Sequence, residues 1–199
     1  MGSMDAEHVM MLREVLAATG WLERTGEFGR ALRVSARTPG GLLLVGTPAG
    51  EPWHLAAHLD DESSLNALPG LSPTLVRWSP PPDAPAHLAV GLDRIEAAGR
   101  GETLLVVAED EAPVPLLERV DDARRVGATI LALDGGDREL QGLAHEALTV
   151  PAADPLVTFD GAQHLVSAAA GQEPARPRRG LRDRLARLLD AVTGPVIDG

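Results

Sequence analysis

The chain has 199 residues, 44% hydrophobic and 24% charged, with a formal net charge of −11. That balance fits one globular domain with appendages and sets aside a general affinity for nucleic acid. Cysteine is absent, which excludes disulfides, cysteine metal sites and thiol nucleophiles; lysine is absent too, which excludes a Schiff-base lysine and the lysine of a Walker phosphate loop.

No apolar run is long enough to cross a bilayer and no charged-then-apolar leader opens the chain, so a cytoplasmic protein without membrane span or signal peptide is expected. Residues 5–33 are helical in pattern, with Val9, Leu12, Val15, Leu16 and Leu22 at helical spacing, and Gly20 and Gly26 as expected break points. Leu42 to Val45 reads as a short buried strand, Gly46 to Gly50 as a loop, and Trp53 to Leu59 as the start of a helix. Thr74 to Trp78 is the next strand. Ser79 to Pro85 is a rigid loop, because consecutive prolines fix the backbone and cannot pair in a sheet. Ala86 to Ala98 is expected to be helical.

From Glu102 to Pro151 the pattern becomes strand, helix, strand, short helix, strand. Thr103 to Ala108 and Ala128 to Leu133 are continuous apolar runs, suited to strands covered on both faces. Between them Leu116, Leu117, Val120 and Ala123 recur at helical spacing, Gly127 stands just past the helix end, and Asp134-Gly135-Gly136-Asp137 makes a turn. Strand, crossover and parallel strand mark an open α/β sheet, whose ligands bind at the carboxyl ends of the strands. Phe159 to Ala170 is a closing helix. Beyond it, Gln172 to Gly180 reads as a Pro/Arg linker, and residues 181–194 contain a short amphipathic helix, LRDRLARLLDAV, with arginines opposite its leucine stripe. So short a helix must dock on something. Its own domain or a sister subunit is the plain expectation; a separate protein partner and an anionic membrane surface are the alternatives.

The 102–151 stretch resembles the sugar isomerase (SIS) domain, and most closely its phosphoheptose isomerase branch. The resemblance is carried by Arg125-Val126-Gly127-Ala128-Thr129 and by Leu140-Gln141-Gly142-Leu143-Ala144-His145-Glu146-Ala147-Leu148-Thr149-Val150-Pro151. It implies a three-layer α/β/α sandwich over residues 5–171, with a mainly parallel five-stranded sheet in flavodoxin-type order. It also implies a homodimer or tetramer assembled through the first and last helices.

In that family two loops grip a sugar phosphate. At the first, Gly46, Thr47 and Gly50 suit the task, whereas Pro48 and Pro52 lack amide donors and Glu51 brings a negative charge. At the second, the family's Ser/Thr run is replaced by Glu109, Asp110 and Glu111, with no hydroxyl. A phosphate dianion about 4 Å from each of three carboxylates would meet repulsion of roughly 1 kcal/mol per charge pair even in water. The loop is therefore either degenerate and solvated, or a place for a cationic ligand, an arginine-bearing partner or a divalent metal. Arg77, Arg94 and Arg100 are candidate donors that could repair the charge.

His54 and His58 stand at i and i+4, which puts both imidazoles on one helical face and suits a divalent metal such as zinc. The resemblance matches His54 to a family site position and puts His58 where a catalytic Glu is expected. Gln163 and His164 lie on the closing helix without reproducing the family's Gln/His spacing. A metal site at His54, His58 and His164, a catalytic pair of His58 and His164, and two ordinary helix histidines are the readings open here. His8, His87 and His145 are scattered, with a local hydrogen-bonding role expected for His145. Trp21, Trp53 and Trp78 suit core or interface, and Trp53 adjoins the first loop. The expected function is a diverged, non-catalytic SIS protein that binds a sugar-phosphate derivative or acts in regulation or protein interaction. The alternative is a metal-assisted phosphosugar isomerase. A DNA-binding regulator is set low, since no basic recognition helix precedes the first strand.

Overall fold

The computed structural model describes residues 16, 18–85, 88–154 and 156–172. The expectations for residues 5–15, for His8 and His87, and for the linker and helix over 173–194 lie outside the described residues.

Helix α1 (Trp21–Ser35) starts behind Gly20, whose φ of 74° is a left-handed turn that glycine adopts without strain. Trp21, Thr25, Phe28, Gly29 and Leu32 make its buried stripe. Gly26 sits inside the helix and does not break it. Strand β1 (Leu42–Val45) is buried along its whole length. It leads to α2 (Trp53–Asn66), a 3-10 turn (Pro69–Leu71) and β2 (Thr74–Val76). After the proline loop the α-helix among the described residues is the four-residue α3 (Asp93–Glu96), rather than the expected helix over 86–98. The reason is backbone pairing: Arg77 N–H donates to the Val90 carbonyl at 2.8 Å and Arg77 bridges Gly91 in parallel, which holds that segment extended beside β2. Then follow β3 (Thr103–Ala108), α4 (Val114–Arg125), β4 (Thr129–Asp134), α5 (Arg138–Leu143), β5 (Glu146–Thr149) and α6 (Phe159–Gly171).

All strand pairs are parallel, in the order β2-β1-β3-β4-β5. The flavodoxin-type order expected from the sequence is thus the order observed. Side chains alternate across the sheet. Leu42, Leu44, Leu105, Val107, Leu131 and Leu133 pack with the buried faces of α1, α2 and α6. Leu43, Val45, Leu104, Val106, Ile130 and Ala132 pack with those of α3, α4 and α5. Each large apolar side chain buried this way contributes about 1.5–3 kcal/mol relative to exposure. On the first face the backbones of α1 and α6 approach so closely that a Cβ at Gly29 would lie 2.6 Å from Ala169 Cβ and 2.7 Å from Ala170 N.

Two aspartates organise the carboxyl end of β4. Asp137 caps α5 by accepting from Glu139 N and Leu140 N, and its other oxygen accepts from Ala112 N at 2.8 Å. Asp134 is fully buried. Its Oδ1 accepts from Gly136 N (2.7 Å), Asp137 N (3.1 Å) and Gln141 Nε2 (2.7 Å), while its Oδ2 is buried without a partner. Burial pushes its carboxyl above the usual range. Just before β5, His145 takes the local role expected of it: its Nδ1 accepts from Ile130 N at 2.9 Å, and its backbone N–H donates to the Ile130 carbonyl. Among the described residues no helix is long and apolar enough to cross a membrane.

Candidate functional site

A cleft of about 300 Å³ opens at the carboxyl ends of β1 and β3. The strand order reverses there, because β1 leads outward to β2 while β3 leads the other way to β4. Open α/β sheets bind ligands at such a point. Three segments form its wall: the β1–α2 loop with the first residues of α2, the β3–α4 loop, and the first turns of α6.

The β1–α2 loop is folded back on itself. Gly50 N–H donates to the Thr47 carbonyl, and a Cβ at Gly46 would lie 2.0 Å from the Gly50 oxygen and 2.7 Å from Pro52 Cδ. Only glycine fits at position 46. Trp78 Nε1 donates to the Gly46 carbonyl at 2.8 Å and fastens the loop from the β2 side. Glu51 lines the cleft, but its carboxylate is engaged. It accepts from Arg77 Nε at 3.0 and 3.3 Å and from Trp53 Nε1 at 3.0 Å. The Arg77 guanidinium also lies 4.8 Å from the Trp53 ring centroid, so the three side chains form one clasp. The two charged side chains are largely covered, with 18% and 17% of their surfaces exposed.

The β3–α4 loop is pinned from beneath. Gly135 N–H donates to the Ala108 carbonyl, Ala112 N–H to Asp137, and a Cβ at Gly135 would strike the Glu109 carbonyl oxygen at 2.0 Å. Glu109, Asp110 and Glu111 are all exposed; the first two face the cleft and Glu111 is not in its wall. Among the described residues no arginine lines the cleft. Four acidic side chains do (Glu51, Glu109, Asp110 and Asp160), and Arg77 neutralises only Glu51. Arg94 is paired with Glu102.

From α6 come Phe159, Asp160 and Gln163. Asp160 stands between two histidines, 3.8 Å from exposed His54 Nδ1 and 3.5 Å from His164 Nε2. The His58 and His164 rings meet edge-on with centroids 4.3 Å apart, and His164 Nδ1 is buried without a partner. The expected histidines are therefore neighbours across the α2–α6 contact. Only His54 lines the cleft; His58 and His164 lie outside its wall. Among the described residues no group of three or more His, Asp or Glu side chains is arranged to hold a metal ion.

Burial, and next the His164 charge, hold His58 below its ordinary value of 6.5, against the opposing pull of Asp61. The unfolded chain then binds a proton at this site before the native state does. Stability is expected to fall as pH drops below about 6.5 and through the lower native value. Urea unfolding of wild type and His58→Gln between pH 5 and 8 checks this: the variant is expected to lose the part of the pH dependence that His58 contributes.

No protein-family model matches the chain, and no curated protein does. Solved structures resemble it in fold, among them these two. A candidate phosphosugar isomerase from Silicibacter pomeroyi aligns over 92% of this chain and 53% of its own, with 17% identity and a TM-score of 0.55. A candidate sugar-binding protein from Salmonella typhimurium aligns over 94% of this chain and 53% of its own, with 15% identity and a TM-score of 0.53. The chain spans about half the length of each. The five-stranded parallel sheet between two helical layers is thus an SIS-like fold.

Proposed function

We propose that the chain is a non-catalytic binding domain whose cleft takes a sugar derivative without a phosphate dianion, either uncharged or bearing an amine. One observation carries this reading: the cleft wall holds three carboxylates without a paired arginine, Glu109, Asp110 and Asp160, beside the apolar rings of Trp53 and Phe159. A ring face against an indole and hydroxyl or ammonium donors toward carboxylates are the contacts such a wall favours. A dianion is repelled by the same groups. Assembly as a homodimer or tetramer in the cytoplasm belongs to this proposal.

The second reading, a metal-assisted phosphosugar isomerase, draws on the His54, Asp160, His164 and His58 chain of contacts and on the orphaned His164 Nδ1. His54 and His164 would hold a zinc-like ion, with His58 moving the proton.

A thermal-shift screen against neutral hexoses, hexosamines, hexose phosphates and zinc, with and without EDTA, separates the two. Ligands that bind only the native state raise its midpoint by mass action. The binding reading expects a shift with a hexosamine or hexose and none with hexose phosphates. A shift confined to zinc and ketose phosphates, with turnover, refutes it. Light scattering of the same samples reports the oligomer, and a strict monomer counts against assembly.

A further inference from the structure

We infer that Glu51 is a resident counter-anion: its carboxylate occupies the anion seat of the cleft and thereby excludes phosphorylated ligands. The inference deepens the binding reading above, since it rests on the same cleft. The seat has two donors. Arg77 supplies a guanidinium in contact with both Glu51 oxygens, and Trp53 supplies an indole N–H. Charge-assisted contacts of this kind are the ones arginine makes equally well to a phosphate.

Several features show that the seat is built. Arg77 is anchored through its backbone N–H to Val90, and its guanidinium stacks on Trp53. Trp53 lines the cleft and so does Glu51, whereas Arg77 does not and meets the wall through its contacts with those two side chains. Glu51 also lies just before the first turn of α2, where negative charge is favoured. The acids of the β3–α4 loop act differently. Glu109 and Asp110 repel a dianion too, but they are exposed, so water and salt weaken that repulsion. Glu51 is held in place and engages the Arg77 guanidinium.

Removing the carboxylate converts a neutral pair into a free cation facing a cavity at a strand-order reversal. The test is titration calorimetry of wild type, Glu51→Ala, Glu51→Gln and Glu51→Ala/Arg77→Ala with inorganic phosphate, a hexose 6-phosphate, the parent hexose and a hexosamine. Wild type is expected to show no saturable phosphate binding. Glu51→Ala is expected to gain at least about tenfold in affinity for phosphate and hexose 6-phosphate, and the double variant to lose that gain. Glu51→Gln keeps the side-chain volume and decides the matter if the alanine variant does not fold.

The inference is overturned if wild type binds phosphate as well as the variants do, if a folded variant shows no gain, or if the gain survives loss of Arg77. Hexosamine or hexose binding by wild type tests the binding reading separately. Its absence beside a phosphate gain in Glu51→Ala would discard that reading and leave this one standing.

Discussion

Replacing Asp134 by alanine is expected to lower the unfolding free energy by roughly 2–4 kcal/mol, whereas asparagine costs about 1 kcal/mol or less. Alanine orphans the N–H groups of Gly136 and Asp137 and removes one of the two acceptors of Gln141 Nε2, whose other acceptor is Thr149 Oγ1 at 3.0 Å. Asp137 N–H is buried, and a buried donor left without an acceptor costs about 1–3 kcal/mol, whereas Gly136 is exposed and its N–H can turn to water. The damage spreads, because Asp137 both caps α5 and holds Ala112 of the cleft loop. Asparagine keeps the accepting oxygen and removes a buried charge whose second oxygen has no partner.

The same pair of proteins gives a pH signature. The native carboxyl of Asp134 titrates above its ordinary value of 3.8, so the native state binds this proton more readily than the unfolded chain. The contribution to stability is therefore present below 3.8 and is lost as pH rises through the native value. Wild type is expected to lose ground to Asp134→Asn as pH climbs from 3.8 through the raised native value, and to hold a constant difference above it. Urea midpoints of the two at several pH values read the difference directly, and a difference constant over the whole range would refute the assignment.

Gly46→Ala is expected to cost about 2–3 kcal/mol and to abolish ligand binding in the cleft. The added methyl would lie 2.0 Å from a backbone oxygen and 2.7 Å from a proline ring, neither of which can swing aside as a flexible side-chain end would. The loop must open, and with it the placement of Thr47, Gly50 and Glu51. Alanine at position 50, where the nearest atom is 4.0 Å away, is the control for a glycine in the same loop without the steric conflict. Equal unfolding curves for the two variants would show that the loop accommodates the methyl.

The middle of the sheet was legible in the sequence because β1 and β3 are covered on both faces. Leu42–Val45 and Thr103–Ala108 stand out as unbroken apolar runs, and both match the observed bounds. Legibility fails where tertiary pairing overrides local pattern. The apolar residues around Val90 suggested a helix, yet Val90 and Gly91 are held to Arg77. Gly26 looked like a breaker, but the packing of Phe28 and Leu32 carries α1 through it.

At the site, the two loops could be named from their residues, and Arg77 could be named as a possible donor. The Glu51–Arg77 pairing could not be read, because it spans 26 positions and depends on which edge of β1 the second strand joins. Asp134 was visible only as a turn residue. Its burial follows from its register opposite Ala108 and Thr149. His164 was foreseen on α6, but its contact with His58 required the crossing of two helices.

The position of β1 in the sheet also bears on how the chain is made. Its neighbours are β2, close behind it in sequence, and β3, which follows about sixty residues later. At ribosomal rates of about 5–20 residues per second, one edge of Leu42–Val45 waits several seconds for its partner. During that interval an all-leucine-and-valine segment presents unpaired backbone to the cell, the kind of edge that seeds aggregation and that chaperones cover. The nascent chain is most vulnerable after β1 has emerged and before Thr103–Ala108 has docked. Its yield on expression is therefore expected to depend on elongation speed across the proline-rich stretch between them, which genes with slow and fast synonymous codons there would measure.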